Sequence, residues 1–273
     1  MVKDKNISSI ADDTKPNPGR VYDYFLGGDH NFEVDRILAA EVLKVIPEAP
    51  KVLRLVRWFL GEAVRGLLED GYTQFVDFAS GLPVQDHIHQ IAPPGTKVVY
   101  SDIDPVTVAY ALEIIGNNPD VRYLYCDIRE PEIVLESDEV ATLFDRKKKT
   151  AIGMNGITPY LDEESLRHIY EAFYNWAHKG DRLYVCDWMY DSSNPDSYKS
   201  LGELQRMYAE IGSPVYFLSF EKMSRLIGQW KPTSPGYQLL EKWLGISGTQ
   251  LSFSEEIKER VGSTIYGVIL EKQ

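Results

Sequence analysis

Between Tyr72 and Asp191 the chain alternates short β-branched or aromatic runs with longer stretches whose apolar residues recur at helical spacing. The runs predict strands near 74–79, 97–102, 121–126, 149–155 and 182–189, and the stretches between them predict helices near 83–91, 105–116, 137–148 and 162–179. Strand–helix alternation of this kind is the pattern of a doubly wound, mostly parallel α/β sheet. Upstream the period changes. From Pro16 to Gly71 the pattern is helical throughout: Val34, Ile37, Leu38, Val42 and Val45 form a stripe broken by Glu41, and Val52, Leu55, Val56, Phe59, Leu60, Val64, Leu67 and Leu68 form a second, ending at Asp70-Gly71. No strand is predicted before Thr73, so this is a helical preamble outside the sheet. Residues 1 to about 15 are polar and aperiodic and are expected to be mobile. After Asp191 a Ser/Asn/Pro loop leads to helices near 198–212 and 219–229, and the run Ser263–Leu270 reads as a strand closing one edge antiparallel. The expected division is therefore 1–71 (start and preamble), 72–191 (sheet core) and 192–273 (remainder of the same domain).

Three aspartates, Asp77, Asp102 and Asp127, stand 25 residues apart at or near the ends of the first three runs. A strand–helix unit takes roughly 30 residues, so each strand is expected to deliver one carboxylate to the same edge of the sheet. That edge is where open α/β sheets bind ligands.

Composition narrows the function. A chain of 273 residues buries about three-quarters of its unfolded surface, enough for a large core without disulfides or a structural metal. The only cysteines, Cys126 and Cys186, lie inside predicted strands without C-x-x-C spacing and read as buried, reduced thiols of a cytoplasmic protein. No run approaches 18 apolar residues, and Met1–Lys5 lacks an apolar signal segment, so neither membrane nor export is expected. The net charge of −12, from 41 acidic against 29 basic residues, disfavours nucleic acid as a partner. The one basic cluster, Arg146–Lys149, is expected to end a helix in solvent, where it complements the helix dipole.

The first predicted turn, Ala79-Ser80-Gly81-Leu82-Pro83-Val84, bears on the ligand. A dinucleotide fold wants Gly-x-Gly-x-x-Gly there, so that backbone amides and a helix N-terminus meet the pyrophosphate. Only the middle glycine is present, and Pro83 removes a donor. A ligand with an adenosine and an amino-acid tail but no phosphate asks less of the turn. The segments Phe75–Pro83 and Val99–Pro105 resemble the first two motifs of S-adenosylmethionine-dependent methyltransferases. Pro18-Gly19-Arg20-Val21-Tyr22-Asp23-Tyr24-Phe25-Leu26-Gly27-Gly28-Asp29-His30-Asn31-Phe32-Glu33-Val34-Asp35-Arg36 resembles the N-terminal signature of a bacterial S-adenosyl methyltransferase family once catalogued as a domain of unknown function. The resemblance runs from about residue 16 to the C-terminus, weakening after Asp191. It implies a Rossmann-like methyltransferase sheet, with Ala79 departing from the general motif's glycine.

The resemblance also implies site roles. Asp102 would accept from both ribose hydroxyls and Ile103 would flank the adenine. Asp127, beside Ile128, would accept from the adenine amino group. Asp77 would shape the first turn or reach the ligand's ammonium through water. Ala79, Ser80 and Gly81 would contact the methionine moiety, and Asn155 and Gly156 would lie near the sulfonium. For each aspartate the alternative is the capping of loop amides. Tyr22, with the hinge-like Gly27-Gly28, would form a lid over the strand ends; packing of the preamble onto the sheet is the competing account.

Candidate catalysts are less defined. His87 and His89, at i and i+2 of a predicted helix, point to different faces, which argues against a shared metal. His89 is read as a satisfied core or surface histidine, with a place facing the site as the alternative. No Gly-x-Ser-x-Gly elbow occurs, and Asn155–Tyr160 departs from the Asn/Asp-Pro-Pro-aromatic motif of base N-methylating enzymes. Asp187, Tyr160 and Tyr190, in loops after the fourth and fifth strands, are the residues to test for a general base. The expected reaction is in-line methyl transfer from S-adenosylmethionine, leaving S-adenosylhomocysteine, to a small-molecule acceptor. A sensor or store of S-adenosylmethionine without transfer, and an NAD-dependent oxidoreductase, are the two alternatives.

Overall fold

The structure is a computed structural model and describes residues 14–83, 86–190, 199–247, 249 and 263–273. The preamble folds as α1 (Pro18–Phe25), α2 (Glu33–Val45) and α3 (Ala49–Glu69). The core then alternates β1 (Gln74–Phe78), α4 (Ile88–Ile91), β2 (Lys97–Asp102), α5 (Pro105–Ile115), β3 (Val121–Tyr125), α6 (Glu132–Leu135), α7 (Asp138–Leu143), β4 (Ala151–Asn155), α8 (Glu163–Trp176) and β5 (Arg182–Tyr190). The remainder adds α9 (Lys199–Glu210), β6 (Leu218–Ser219), α10 (Phe220–Leu226), β7 (Lys231–Pro232), β8 (Gln238–Leu239), α11 (Leu240–Trp243) and β9 (Ser263–Glu271). The sheet order is β3-β2-β1-β4-β5-β9-β7, with β6 added to β5 and β8 to β9. Strands β1 to β5 are parallel and β9 runs antiparallel to β5 over its whole length. The doubly wound core and its antiparallel C-terminal edge are thus as the pattern predicts.

Local chemistry starts the helices at the strand ends. Asn17 Oδ1 accepts from Gly19 N at 2.7 Å and caps α1, and Asp104 accepts from the Val106 and Thr107 amides ahead of α5, with Pro105 at its first position. One face of the sheet packs under α6, α7, α8 and α10 through Phe78, Met154, Phe173 and Trp230. The other packs under α3, α4, α5 and α11 through Phe59, Phe75, Tyr100 and Tyr184. Each fully buried Phe or Leu of α3 contributes about 1.5–3 kcal/mol. Gly267 on β9 lets α3 come down onto the sheet, because a Cβ there would fall inside the Phe59 ring. A third cluster joins α1 and α2 to α9 through Val21, Phe25, Leu38, Leu201 and Tyr208, so the preamble and the C-terminal part share a core.

Two helices are shorter than their patterns predict. The one expected over 83–91 is only α4, Ile88–Ile91, because Asp86 takes a left-handed φ of 54° that breaks the helical path. The one expected over 137–148 stops at Leu143, where Phe144 turns extended. Arg146–Lys149 therefore lies in the connection to β4 and does not cap a helix. Arg146 stacks on the Trp176 ring at 3.9 Å and donates to its carbonyl at 2.8 Å. The start, expected to be mobile, lies almost wholly, and the Ser/Asn/Pro loop wholly, outside the described residues. No helix among the described residues is long and apolar enough to cross a membrane.

Candidate functional site

The three aspartates share an edge but not a depth. Asp77 pairs in register with Tyr100, two residues before Asp102, and Asp102 pairs with Tyr125, two residues before Asp127. At about 3.3 Å per residue the carboxylates step along the strands by about 7 Å each. The expected even row is therefore a staircase. Asp77 is buried inside the sheet, Asp102 stands at its rim, and Asp127 lies in the loop beyond β3.

Asp102 is fixed by the turn it faces. Its Oδ2 accepts from Gly81 N at 3.0 Å and its Oδ1 from Asp104 N at 2.9 Å. Burial pushes its pKa up to about 6 against the pull of those amides. A carboxylate offers about four acceptor positions, so each oxygen keeps one for a further donor. Gly81 is itself held by Tyr123, whose hydroxyl donates to its carbonyl at 2.7 Å. Ala79 adopts a φ of 51°, the left-handed conformation that the motif's glycine would take, at a cost of about 1–2 kcal/mol. The alanine thus keeps the glycine's backbone course. Ser80 closes the turn: its amide donates to Ser101 O at 2.9 Å and its hydroxyl to Asp77 O at 2.7 Å. Ile103 beside Asp102 is 47% exposed, an uncovered apolar surface. Asp127 already accepts from the Arg129 amide and pairs with its guanidinium, both at 3.0 Å, so capping of its own loop is realised. Ile128 is buried in the core and supports that loop from below.

Beneath α3 lies a cluster that sequence reasoning largely missed. The Tyr184 hydroxyl on β5 donates to Asp77 Oδ1 at 2.5 Å across β4, and Gly153 leaves the space, since a Cβ there would overlap both groups. Burial raises the pKa of Asp77, opposed by this hydrogen bond and by the Arg57 charge. Arg57 comes from α3. Its Nη1 donates to His87 Nε2 at 2.9 Å, its guanidinium lies 5.6 Å from the centre of the Tyr22 ring, and its buried Nε has no hydrogen-bond partner. His87 is fully buried, and burial with the Arg57 charge holds its pKa well below the usual range, so it is neutral and accepts from Arg57. Asn155 donates to Val56 O at 3.2 Å while its buried Oδ1 is unpaired, and Gly156 turns at φ 77° against Val56. A buried carboxyl within the field of Arg57, an orphaned guanidinium N–H and an orphaned amide oxygen therefore lie between the first turn and the end of β4. The only sequence signal for Arg57 was its place beside an apolar stripe, which many solvated arginines share.

The N-terminal signature is a hydrogen-bonded latch. Arg20 Nε pairs with Asp35 at 2.8 Å, and its Nη1 reaches Asp104 at 3.7 Å, tying the preamble to the loop after β2. Asp35 also accepts from the amides of Asn17 and Phe32. Asp23 accepts from His30 N and Asn31 Nδ2, and Gly28 must lack a side chain because a Cβ would run into the Asp23 carboxylate. His30 meets the Tyr110 ring of α5 edge-on at 4.9 Å. The preamble thus spans from the Asp102 loop to Arg57. Tyr22 on α1 is brought to Arg57 and near Cys186, whereas Gly28 sits in the Asp23 turn.

The candidate bases separate. Tyr160 packs against Tyr208 at 6.0 Å, with burial raising its pKa, and Tyr190 packs on the α1–α2–α9 core. His89 Nδ1 engages the Tyr100 hydroxyl at 2.9 Å, while its pKa is lowered by burial. Asp187 and Tyr190 lie within β5 and not in a loop after it, and Asp187 is fully buried on the opposite face of the sheet from Asp77, with neither carboxylate oxygen hydrogen-bonded among the described residues. Burial alone pushes it up to about 7.

A family model described as S-adenosyl methyltransferase matches residues 4–268. The chain belongs to this family. Its cofactor is S-adenosylmethionine, and it is an S-adenosylmethionine-dependent methyltransferase. The crystal structure of a methyltransferase candidate from Thermobifida fusca YX is similar, with a TM-score of 0.83 and 28% identity over 96% of this chain and 97% of that one. A DUF574 family protein from Streptomyces avermitilis MA-4680 superposes with a TM-score of 0.82 at 22% identity, covering 96% and 99%. Magnesium protoporphyrin IX methyltransferase from Synechocystis PCC 6803, with bound S-adenosylhomocysteine, shares the fold at a TM-score of 0.55 and 12% identity over 98% and 100%. No curated protein matches the chain.

Proposed function

We propose that this methyltransferase binds S-adenosylmethionine along the staircase and transfers its methyl in line to a small-molecule acceptor. The observation that carries the reading is the buried Asp77 carboxyl with the partly buried Arg57 guanidinium near it under α3, one strand away from a rim carboxylate with two free acceptor positions. Asp102 would take the ribose hydroxyls, with Ile103 against the adenine and Ile128 behind it. Asp127 would turn from Arg129 to the adenine amino group. Asp77 would face the ammonium of the amino-acid tail, and the orphaned Arg57 Nε would face its carboxylate. Charge-assisted bonds of this kind contribute about 1.5–3 kcal/mol each. Ala79, Ser80 and Gly81 would carry the tail past the turn, and Asn155 and Gly156 would border the sulfonium. When bound, the sulfonium supplies an activated methyl group, so the residues around it need chiefly to align the acceptor. Tyr22, hinged at Gly27-Gly28, would close 1–71 as a lid over the 72–191 core and exclude water. The 192–273 part, joined to the preamble through the α9 core, would border the acceptor. Two buried reduced cysteines and the absence of a long apolar helix among the described residues support a cytoplasmic location.

Two measurements test this. Calorimetry with S-adenosylmethionine, S-adenosylhomocysteine and NAD should show binding of the first two only; tighter binding of NAD would overturn the reading in favour of an oxidoreductase. Turnover against a metabolite extract, followed by mass spectrometry, should show a product heavier by one methylene. Cofactor binding without any such product would make the protein a sensor or store.

A further inference from the structure

On the far face of β5 from the Asp77 cluster, four polar side chains are buried without being satisfied. Asp187 is 0% exposed, Thr158 2% and Tyr170 1%, and Tyr237 is half-buried. Both Asp187 oxygens, Thr158 Oγ1, Tyr170 OH and Tyr237 OH are out of solvent and make no hydrogen bond. The Thr158 hydroxyl offsets part of the rise in the Asp187 pKa but does not reach hydrogen-bonding geometry, and no described basic side chain forms an ion pair with the carboxylate. Unpaired buried polar groups are costly, and native structures seldom keep several together without an occupant. The four come from separate elements: β5, the turn after β4, α8 and the segment between β7 and β8. Their convergence is tertiary and not a local loop device.

The occupant's chemistry follows from the groups. The cluster offers a carboxylate and three hydroxyl groups, which can accept as well as donate, and no N–H donor. An anion would be repelled, and a neutral hydroxyl would leave the carboxylate's charge uncompensated. A metal lacks ligands, since no group of three His, Cys, Asp or Glu side chains that could hold one occurs among the described residues. Aromatic rings flank the cluster and favour cations. Phe220 stands 5.3 Å from the Tyr237 ring and 5.5 Å from the ring of Tyr266, which is the cross-strand partner of Asp187. Phe220 is itself 37% exposed, so solvent lies one layer of rings away.

We propose that Asp187, Thr158, Tyr170 and Tyr237 form a binding site for a protonated amine, by which the methyl acceptor is held. The inference rests on the methyltransferase reading above and names the acceptor's class: a small molecule bearing an ammonium group. The depth along the strands agrees, because Asp187 follows Cys186, the register partner of Asn155, beside which the sulfonium is proposed, although Asp187 faces the other side of the sheet. An ammonium brings one charge and its N–H donors, matching the carboxylate and the hydroxyl oxygens. The titratable groups that feel the Asp187 charge are the Tyr170 and Tyr237 phenols and the Cys186 thiol, all pushed upward and therefore neutral around pH 7.

The test uses protein labelled with 13C at its aspartate carboxyls and mixed with S-adenosylhomocysteine, at a pH below 7, where the empty site holds a proton. Methylammonium chloride is the probe, because any amine site accepts its headgroup; with so few atoms it binds on the order of millimolar at best. The Asp187 resonance, identified by its loss in Asp187→Asn, should move saturably to its ionised position. Methanol and sodium chloride at matched concentrations should leave it in place. Tyr237→Phe should weaken the apparent affinity about tenfold or more, the scale of one hydrogen bond to a charged group. An unmoved resonance, or an equal response to sodium or methanol, overturns the amine site. Calorimetry with S-adenosylhomocysteine on the same samples separates the two readings. Cofactor binding without an ammonium response sinks this inference alone, and an ammonium response without cofactor binding sinks the methyltransfer reading instead.

Discussion

Replacing Asp187 by asparagine should stabilise the protein by an amount that grows with pH. Burial raises this carboxyl from its ordinary 3.8 to about 7. That is a rise of about 3 pKa units, and at about 1.4 kcal/mol per unit the ionised group costs the fold about 4 kcal/mol. The sign follows from proton binding. Between about pH 4 and pH 7 the folded state keeps a proton that the unfolded chain releases, so wild-type stability falls as pH rises through this window and levels off above it. Below about pH 4 both states are protonated and the penalty vanishes. Asparagine is nearly isosteric and never ionises. Its unpaired amide adds an offset that does not vary with pH.

Urea unfolding of the two proteins in steps from about pH 4 to about pH 8 isolates the effect, because every other titrating group, Asp102 included, cancels in the difference. The gap should open by about 1.5 kcal/mol near pH 5 and by about 4 kcal/mol near pH 8. Parallel stability curves would refute the reasoning. They would mean that Asp187 ionises as it does in water, with its charge solvated or paired, and not as a buried, unpartnered carboxyl. Methylammonium should narrow the gap at pH 8, since it compensates the charge in the wild type only.

The remaining predictions concern the cofactor side. Arg57→Gln should weaken S-adenosylhomocysteine binding by about 10- to 100-fold while leaving 5′-methylthioadenosine, which lacks the amino-acid tail, unaffected in calorimetry; equal losses for both would make Arg57 a scaffold residue. Affinity for S-adenosylhomocysteine should fall as pH drops below 6, by about tenfold per unit. The cause is that Asp102, lifted to about 6, must ionise to accept both ribose hydroxyls, and a flat profile would move the ribose elsewhere. Tyr22→Ala should cost tenfold or more in cofactor affinity, and unchanged affinity in a folded variant would exclude the lid. Gly153→Ala drives a methyl group into Tyr184 and Asp77, and should lower unfolding stability by about 1–3 kcal/mol; an unaltered urea midpoint would show that the strands part there at no cost.

What the chain revealed before folding, and what it hid, divides along sequence distance. Strand periodicity, the Ala79–Gly81 turn and the place of Asp102 at the end of β2 depend on neighbours within a few residues, and all are legible. The equal spacing of Asp77, Asp102 and Asp127 was legible too, but not their depths, because register is set by hydrogen bonds between strands. Neighbouring strands align 23 residues apart, as Gln74 with Lys97 and Val98 with Val121, so a 25-residue spacing moves each carboxylate two residues further along and produces a staircase. Arg57 was hidden for the same reason. It becomes notable only when α3 sets it against His87, 30 residues away, and beside Asp77. The helix expected over 83–91 failed because its apolar pattern carries no sign of the left-handed turn at Asp86. Asp187 drew notice for an expected place in the loop after the fifth strand, whereas it lies within β5, and what distinguishes it is a lack: no described cation or donor reaches it in hydrogen-bonding geometry. A missing partner is a property of the folded neighbourhood alone, and an acidic residue in a strand otherwise reads as one more capped or solvated carboxylate. The residues whose partners lie inside the chain were therefore the readable ones, and among those with an atom left unpartnered in the fold, Arg57, Asn155 and Asp187 are where the proposed ligands would supply one.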